Sequence, residues 1–420
     1  MKKFSIPHSQ VPKLLLSNIS IDSSVYSINK IINLVVKSMN SKNSLSSKGK
    51  ETSRCPKKIA YVFQGGGALG AYQVGVIQAL QEYGYSPDMV SGISIGAINA
   101  AILVGNSKEE RLKKLHLFWD KIATPLPLDP FSNPRYGEGL YSYIGAIAAT
   151  FWGQSGFFTP RLMPPWLLRD KKPDELSFYD LNPLRETLEE LIDFDRINAK
   201  EESLYLGTVC LHTGHLTYFN NIDYKIGPEH IMASAALPPA FPAVKIGDRY
   251  FWDGALYSNS PLSAILDDER VCNLLCFAVN CFSAKGFLPT SIDEVNQREK
   301  GIRYSSHMKE ALTDFSKEQN LRCAITHLGS KLSEEAKKDP AIQEILALGT
   351  PRLINIVKMV YQDTAYDLNS KDYNFAKHTL DEHLKAGYQD AMAVLEEKAW
   401  EQKQEKYIGA VVYQAPNNPK

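Results

Sequence analysis

Apolar and polar positions change rhythm along the chain, and each change of rhythm predicts an element. A short apolar run at 59–63 is followed at once by Gly65-Gly66-Gly67-Ala68-Leu69-Gly70 and a helical segment at 71–83. The order repeats with a strand at 89–93, Ser94 at the turn and a helix at 95–104, and a further helix spans 111–122. Strands alternating with helices predict an α/β domain whose mostly parallel sheet is covered by helices. Later runs predict strands at 204–210, 216–220 and 274–279. Two more, 244–246 and 250–252, are joined through Gly247-Asp248, a pair suited to a tight hairpin turn. Beyond about Phe287 the pattern turns helical and charged. A β-like run at 353–360 interrupts it, and a long amphipathic helix at 379–401 closes it.

Upstream of the first strand the rhythm differs again. Residues 1–54 are rich in Ser, Asn and Lys, and 40–54 reads as a linker. Within them Ile28, Ile31, Ile32, Val35, Val36 and Met39 share one helical face, opposite Lys30, Asn33 and Lys37. Such a helix can lie on an anionic membrane surface or dock on the protein's own core. Composition sharpens this division. The 420 residues carry a formal net charge of +0, which argues against a general nucleic-acid binder. Yet 1–54 hold nine Lys and Arg against two acids, Asp22 and Glu51, so the remainder is acidic by the same margin of seven. The length predicts two or three domains, or one large domain with extensions. The boundaries fall at a basic arm, 1–54, a catalytic-type α/β region, 55–285, and a mainly helical region, 286–420.

Six cysteines are too few for a disulfide scaffold. Cys272, Cys276 and Cys281 lie in or beside a buried-strand pattern without the CxxC spacing of a metal site. No apolar stretch reaches the ~18 residues of a membrane span, and no signal peptide is evident. These features predict a protein made in a reducing cytosol, needing neither metal nor other cofactor.

Two glycine-containing turns carry candidate chemistry. The first, Gln64-Gly65-Gly66-Gly67-Ala68-Leu69-Gly70, runs from strand to helix. It presents backbone N–H groups and the positive end of a helix dipole to an anion or a developing negative charge. It also satisfies the dinucleotide GxGxxG, but that reading requires an acid after the second strand, and Asp88 precedes it. The second, Gly92-Ile93-Ser94-Ile95-Gly96, is a GxSxG between strand and helix, the pattern of a nucleophile elbow. Glycines at Gly92 and Gly96 allow close approach while the turn holds Ser94 exposed. A serine nucleophile needs a base and oxyanion donors. His307, His327, His378 and His383 lie in charged helices without a motif and read as solvated. Asp253, at the end of the aromatic strand Tyr250-Phe251-Trp252 and before Gly254, is the other candidate; desolvation would make it a better proton acceptor. On spacing alone an Asp-Gly turn residue is the favoured reading.

Taken in order, Gly65–Gly70, Gly92–Gly96, the Ala-x-x-Pro-x-x-Phe-Pro stretch ending at Pro242, and Asp253-Gly254-Ala255 resemble the patatin-like phospholipase family. Asn259 and Pro261 match the Asn-x-Pro-Leu that follows that family's Asp-Gly. The resemblance covers about 57–285. It implies a three-layer α/β/α sandwich with a mostly parallel central sheet, followed by a mainly helical accessory region typical of one bacterial branch. The latter includes Lys371-Asp372-Tyr373 and 380–391. It further implies a lipid acyl hydrolase with a Ser–Asp dyad: Ser94 as nucleophile, Asp253 as base, and Gly65, Gly66 and Gly67 as oxyanion hole. The implied partners are a phospholipid or other lipid ester and a membrane surface contacted peripherally, with homo-oligomerisation and export by a specialised system left open. The family's glycine loop commonly begins with Asp and has Arg or Lys before its last Gly. Here Gln64 and Leu69 stand there, as in that bacterial branch. The aromatic stretch 136–168, with Tyr141, Tyr143, Phe151, Trp152, Phe157, Phe158 and Trp166, then becomes either a lipid-facing lid or a loop packed on the core.

Overall fold

Alternation of side chains along the strands decides where the layers lie. A computed structural model describes residues 57–124, 153–268, 273–286, 288–362, 371–402, 404–405 and 407–414. The basic arm 1–54, Cys272 and aromatic residues 136–152 fall outside these. Strand β1 (Lys57–Phe63) leads through the glycine loop into helix α1 (Gly70–Glu82). Strand β2 (Met89–Gly92) leads into α2 (Ile95–Val104), and α3 (Arg111–Ile122) follows. A two-residue pair, β3 (Thr159–Pro160) and β4 (Tyr179–Asp180), precedes α4 (Asn182–Leu191) and α5 (Phe194–Asn198). Next come β5 (Ser203–Cys210), β6 (Leu216–Asn220) and α6 (Pro228–Ser234). The expected hairpin forms from β7 (Val244–Ile246) and β8 (Arg249–Asp253), followed by α7 (Ser263–Leu266) and β9 (Asn273–Asn280). The rest contributes α8 (Ile292–Gly329), α9 (Pro340–Ala347), β10 (Ile354–Val360), α10 (Lys377–Glu397) and β11 (Ala410–Gln414).

One nine-stranded sheet runs β11-β10-β9-β1-β2-β5-β8-β7, with β6 added on β5. The pairs from β11 to β5 are parallel, while those of β5 with β6 and β8, and of β7 with β8, are antiparallel. The described residues of 286–420 are thus mostly helical, and they also supply β10 and β11, which prolong the sheet beyond β9. Residues Cys55–Lys420 form a single compact unit.

Successive side chains enter opposite faces. Tyr61, Phe63, Phe277, Val279 and Met359 join one buried cluster with Leu80, Ile98, Phe118 and Leu395 of the overlying helices. Their neighbours Ala60, Val62, Cys276, Ala278 and Ile356 join a second cluster with Ile265, Met308 and Leu312. That two-sided burial is why the central strands read as continuous apolar runs, and it produces the three-layer α/β/α arrangement. Cys276 and Cys281 are buried free thiols within it.

Helices α1 and α10 meet backbone to backbone. A Cβ on Gly75 would lie 1.9 Å from the Leu384 carbonyl, and one on Gly387 2.0 Å from that of Tyr72. Of the aromatic stretch, Phe157 and Phe158 are buried and stack edge-on against Phe241, so these two belong to the core and not to a lipid-facing wall. Trp166 is the opposite case, 71% exposed. No helix among the described residues is long and apolar enough to cross a membrane.

Candidate active site

The sheet changes direction at β1: the chain passes to β2 on one side and returns to β9 on the other, and such a switch leaves a crevice at the carboxyl ends of the strands. The glycine loop and Ser94 both emerge there. Ser94 sits between β2 and α2 with φ 58° and ψ −129°, a region a non-glycine residue occupies only under constraint. The constraint is visible. A Cβ on Gly92 would stand 2.2 Å from the Gly96 carbonyl oxygen, and one on Gly96 2.5 Å from that of Phe63. With hydrogens at both positions, the strand and helix close on each other and the turn between them must be sharp. The Ser94 N–H donates to the carbonyl and hydroxyl of Ser234 (3.0 and 3.2 Å), and the Ser234 hydroxyl donates to the Gly207 carbonyl (2.7 Å). Ser94 stands at the N-cap position of α2 without a side-chain capping bond, so the positive end of the helix dipole faces its hydroxyl and favours negative charge on that oxygen.

Asp253 reaches this point from the far side. It is the last residue of β8, opposite Thr208 of β5, and its N–H donates to the Ala236 carbonyl (3.0 Å). The side chain is fully buried. Its two oxygens divide the roles left open by the sequence. Oδ1 accepts the Ala255 N–H (2.9 Å), the turn-forming role, while Oδ2 has no hydrogen-bond partner within the protein. Burial pushes the carboxyl up to about 7, against the opposing pull of the Ala255 N–H and the Ser94 side chain. The structure therefore brings Ser94 and Asp253 into one another's reach, with one carboxylate oxygen uncommitted.

The glycine loop closes the third side. A Cβ on Gly65 would come 3.0 Å from that of Ser94, so the loop passes directly alongside it. Five of its amides donate within the protein: Gln64 to the Val279 carbonyl (3.1 Å), Gly65 to that of Asn259 (3.3 Å), Ala68 to that of Asp372 (2.9 Å), Leu69 to that of Gly66 (3.1 Å), and Gly70 to those of Gly67 and Ala68. Gly66 and Gly67 are not among those donors. Asn259 also donates its Nδ2 to the Gly65 carbonyl (3.0 Å), which explains a residue that the family resemblance singled out.

Gln64, where Asp is common, has its own rationale. Its Oε1 accepts the N–H groups of Cys281 and Phe282 (2.8 and 3.2 Å), while Nε2 donates to the Tyr304 carbonyl (2.9 Å), a bond that a carboxylate could not make. Beneath the loop, Gln73 donates to the Gln64 carbonyl (2.6 Å) and accepts from Asn99 (2.9 Å), which accepts in turn from Trp119 (3.1 Å).

The histidines take no part among the described residues: none hydrogen-bonds to Ser94 or Asp253. One departs from expectation, for His383 is buried, not solvated. It stacks edge-on with Tyr361, and burial lowers its pKa to about 4, which keeps it neutral. Asp88, the misplaced acid of the dinucleotide reading, accepts from Lys58 Nζ and the Ile59 N–H (2.9 and 2.8 Å). That places it at the end of β1 remote from the glycine loop. Among the described residues no three of His, Cys, Asp and Glu gather as metal ligands.

Comparison with known proteins agrees with this geometry in its location. A family model described as patatin-like phospholipase matches residues 61–266, and a second, described as patatin phospholipase, matches 302–407. Triacylglycerol lipase 4 of Saccharomyces cerevisiae is 39% identical over 299 residues, 67% of this chain and 30% of the lipase. Lysophospholipase nte1 of Aspergillus terreus is 50% identical over 48 residues, 11% of this chain and 3% of that protein. The chain spans less than a third of the length of these curated relatives. Among solved structures, VipD from Legionella pneumophila aligns over 86% of this chain and 72% of its own, at 16% identity and a TM-score of 0.37. With the first model covering the elbow, the glycine loop and Asp253, and the second, also described as a patatin phospholipase, covering 302–407, the chain belongs to the patatin-like phospholipase family.

Proposed function

We propose that the protein is a lipid acyl hydrolase of the phospholipase A or lysophospholipase type, working through a Ser94–Asp253 dyad and an acyl-enzyme. One observation carries the reading: a fully buried carboxylate whose free Oδ2 lies within reach of a serine held at a strained elbow beside a glycine loop. The Ser94 hydroxyl attacks the ester carbonyl as Asp253 takes its proton. The oxyanion settles against the amides of Gly66 and Gly67, with Gly65 lining the slot beside Ser94. Asp253 then returns the proton to the departing alcohol. Water, deprotonated by the same carboxylate, releases the fatty acid. A base raised to about 7 is half deprotonated at neutral pH and strong enough to accept the proton. A lipid substrate is supported by the relatives' names, lysophospholipase and triacylglycerol lipase. A peripheral approach to a membrane is supported by the exposed Leu162, Met163, Trp166 and Leu167.

The test is labelling with a fluorophosphonate, read by peptide mass, alongside hydrolysis of lysophospholipid. Modification is expected on Ser94, and both signals should vanish in Ser94→Ala. Labelling that persists elsewhere in that variant would overturn the assignment.

A further inference from the structure

A run of three glycines has no side chains to pack, so the glycine loop depends on its neighbours, and beside the contacts from Gln73, Asn259, Cys281 and Phe282 two supports come from beyond residue 286. At its entry, Gln64 Nε2 donates to the Tyr304 carbonyl of α8 (2.9 Å). At its exit, the Ala68 N–H donates to the Asp372 carbonyl (2.9 Å). That oxygen lies 2.1 Å from where a Cβ on Gly67 would sit, and Gly67 adopts φ +54°. Loop and 371–373 segment therefore touch backbone to backbone. Asp372 is held in its turn: its buried carboxylate accepts two hydrogen bonds from Lys300 Nζ (2.9 and 3.1 Å). The same ammonium lies 4.7 Å over the Tyr373 ring. Lys300 and Tyr304 stand one turn apart on α8, so a single helical face bears on both ends of the loop.

We propose that Lys300 is a positioning residue for the oxyanion loop. By fixing Asp372 it sets where the Ala68 N–H is received, and so the direction in which the Gly66 and Gly67 amides point. The proposal rests on the reading of this loop as the oxyanion hole.

The test compares wild type, Lys300→Met and Lys300→Arg by hydrolysis of p-nitrophenyl butyrate and by hydrogen exchange of peptides covering 64–72, with 89–104 as internal reference. Displacing the loop amides should lower kcat in Lys300→Met on the order of 10²-fold, the effect of losing about one oxyanion donor. KM should stay within about twofold, because the loop acts on the transition state. Exchange should accelerate in 64–72 and not in 89–104, and Lys300→Arg, which keeps the charge, should recover most of kcat. Lys300→Met also leaves a buried carboxylate unpaired. The double variant Lys300→Met/Asp372→Asn removes both charges and is expected to fold with the same loss of kcat. Wild-type kcat in either Met variant, or equal acceleration of exchange in both peptides, would overturn the proposal. Should wild type hydrolyse no ester at all, the oxyanion reading itself fails, while exchange at 64–72 still decides whether Lys300 holds the loop.

Discussion

Asp253 offers the sharpest quantitative test, because its burial makes a claim about pH. An ordinary aspartate at 3.8 would be more than about 90% deprotonated at pH 5 and fully so at pH 8, so a rate depending on it would barely change between them. With the carboxyl raised to about 7, the active form falls to about 1% at pH 5 and rises to about 90% at pH 8. kcat/KM, which reports the free enzyme, should therefore climb about 90-fold across that interval. Initial rates on a soluble short-chain ester are the right assay, since an aggregate's surface charge would add its own pH dependence. A profile changing less than about threefold between pH 5 and 8 would refute the argument from burial. Stability provides an independent check with a definite sign. The folded-state pKa lies above the unfolded one, so this carboxyl contributes stability fully below about pH 4 and loses it as pH rises through about 7. Asp253→Asn is neutral at every pH, and its Oδ1 can still accept the Ala255 N–H. It should be inactive yet more stable at pH 8, by up to about 4 kcal/mol for a carboxyl raised from 3.8 to about 7, seen as a higher Tm, with the gain narrowing as pH falls toward 4.

Two further outcomes follow from packing. Gly96→Ala pushes a methyl group toward the Phe63 carbonyl, 2.5 Å away, so the elbow must open. Fluorophosphonate labelling of Ser94 should slow by at least about 10²-fold even in the fraction that remains folded, and an unchanged rate would show that the close approach does not matter. Phe158→Ala should destabilise by about 3–5 kcal/mol in a denaturant melt, as for any aromatic removed from a packed cluster. Trp166→Ser should leave that melt unchanged and lower hydrolysis of liposomes without affecting a soluble ester; equal loss on both substrates would exclude a surface role.

What could be read from the chain alone was what is written locally. GxSxG between a strand pattern and a helix pattern needs only five residues to force a sharp turn, and the glycines do so by lacking a Cβ. Asp253 was visible as a carboxylate ending an aromatic strand, though nothing nearby could say that one oxygen would serve the turn and the other stay free. In 286–420 the run at 353–360 and the helix at 379–401 were legible, but α8 and α9 were not delimited, β11 was not foreseen, and no partner could be read. The run at 353–360 carries no mark that it pairs with β9, because register is settled by a strand some 80 residues earlier. His383 misled for the same reason. Its sequence neighbours Asp381, Glu382 and Lys385 are charged, and its burial accompanies the close approach of α1, which Gly387 allows only together with Gly75, more than 300 positions away. Lys300 and Asp372 were equally silent: each is an ordinary charged residue until the fold pairs them.

The contact between α1 and α10 has a consequence in time as well as space. Gly75 leaves the ribosome long before Gly387; at about 5–20 residues per second the interval is roughly 15–60 s. Throughout it α1, whose residues from Gly70 to Leu80 are almost all buried in the finished protein, waits without the helix that covers it. The edge of β9 that will receive β10 also stays open until residue 360 has been made. Contacts this distant in sequence form last and slowly. The nascent chain thus displays an apolar helix until α10 has been made and a bare strand edge between residues 280 and 360, the kind of surface that chaperones hold, and its glycine loop gains its last support only after Asp372 has been made.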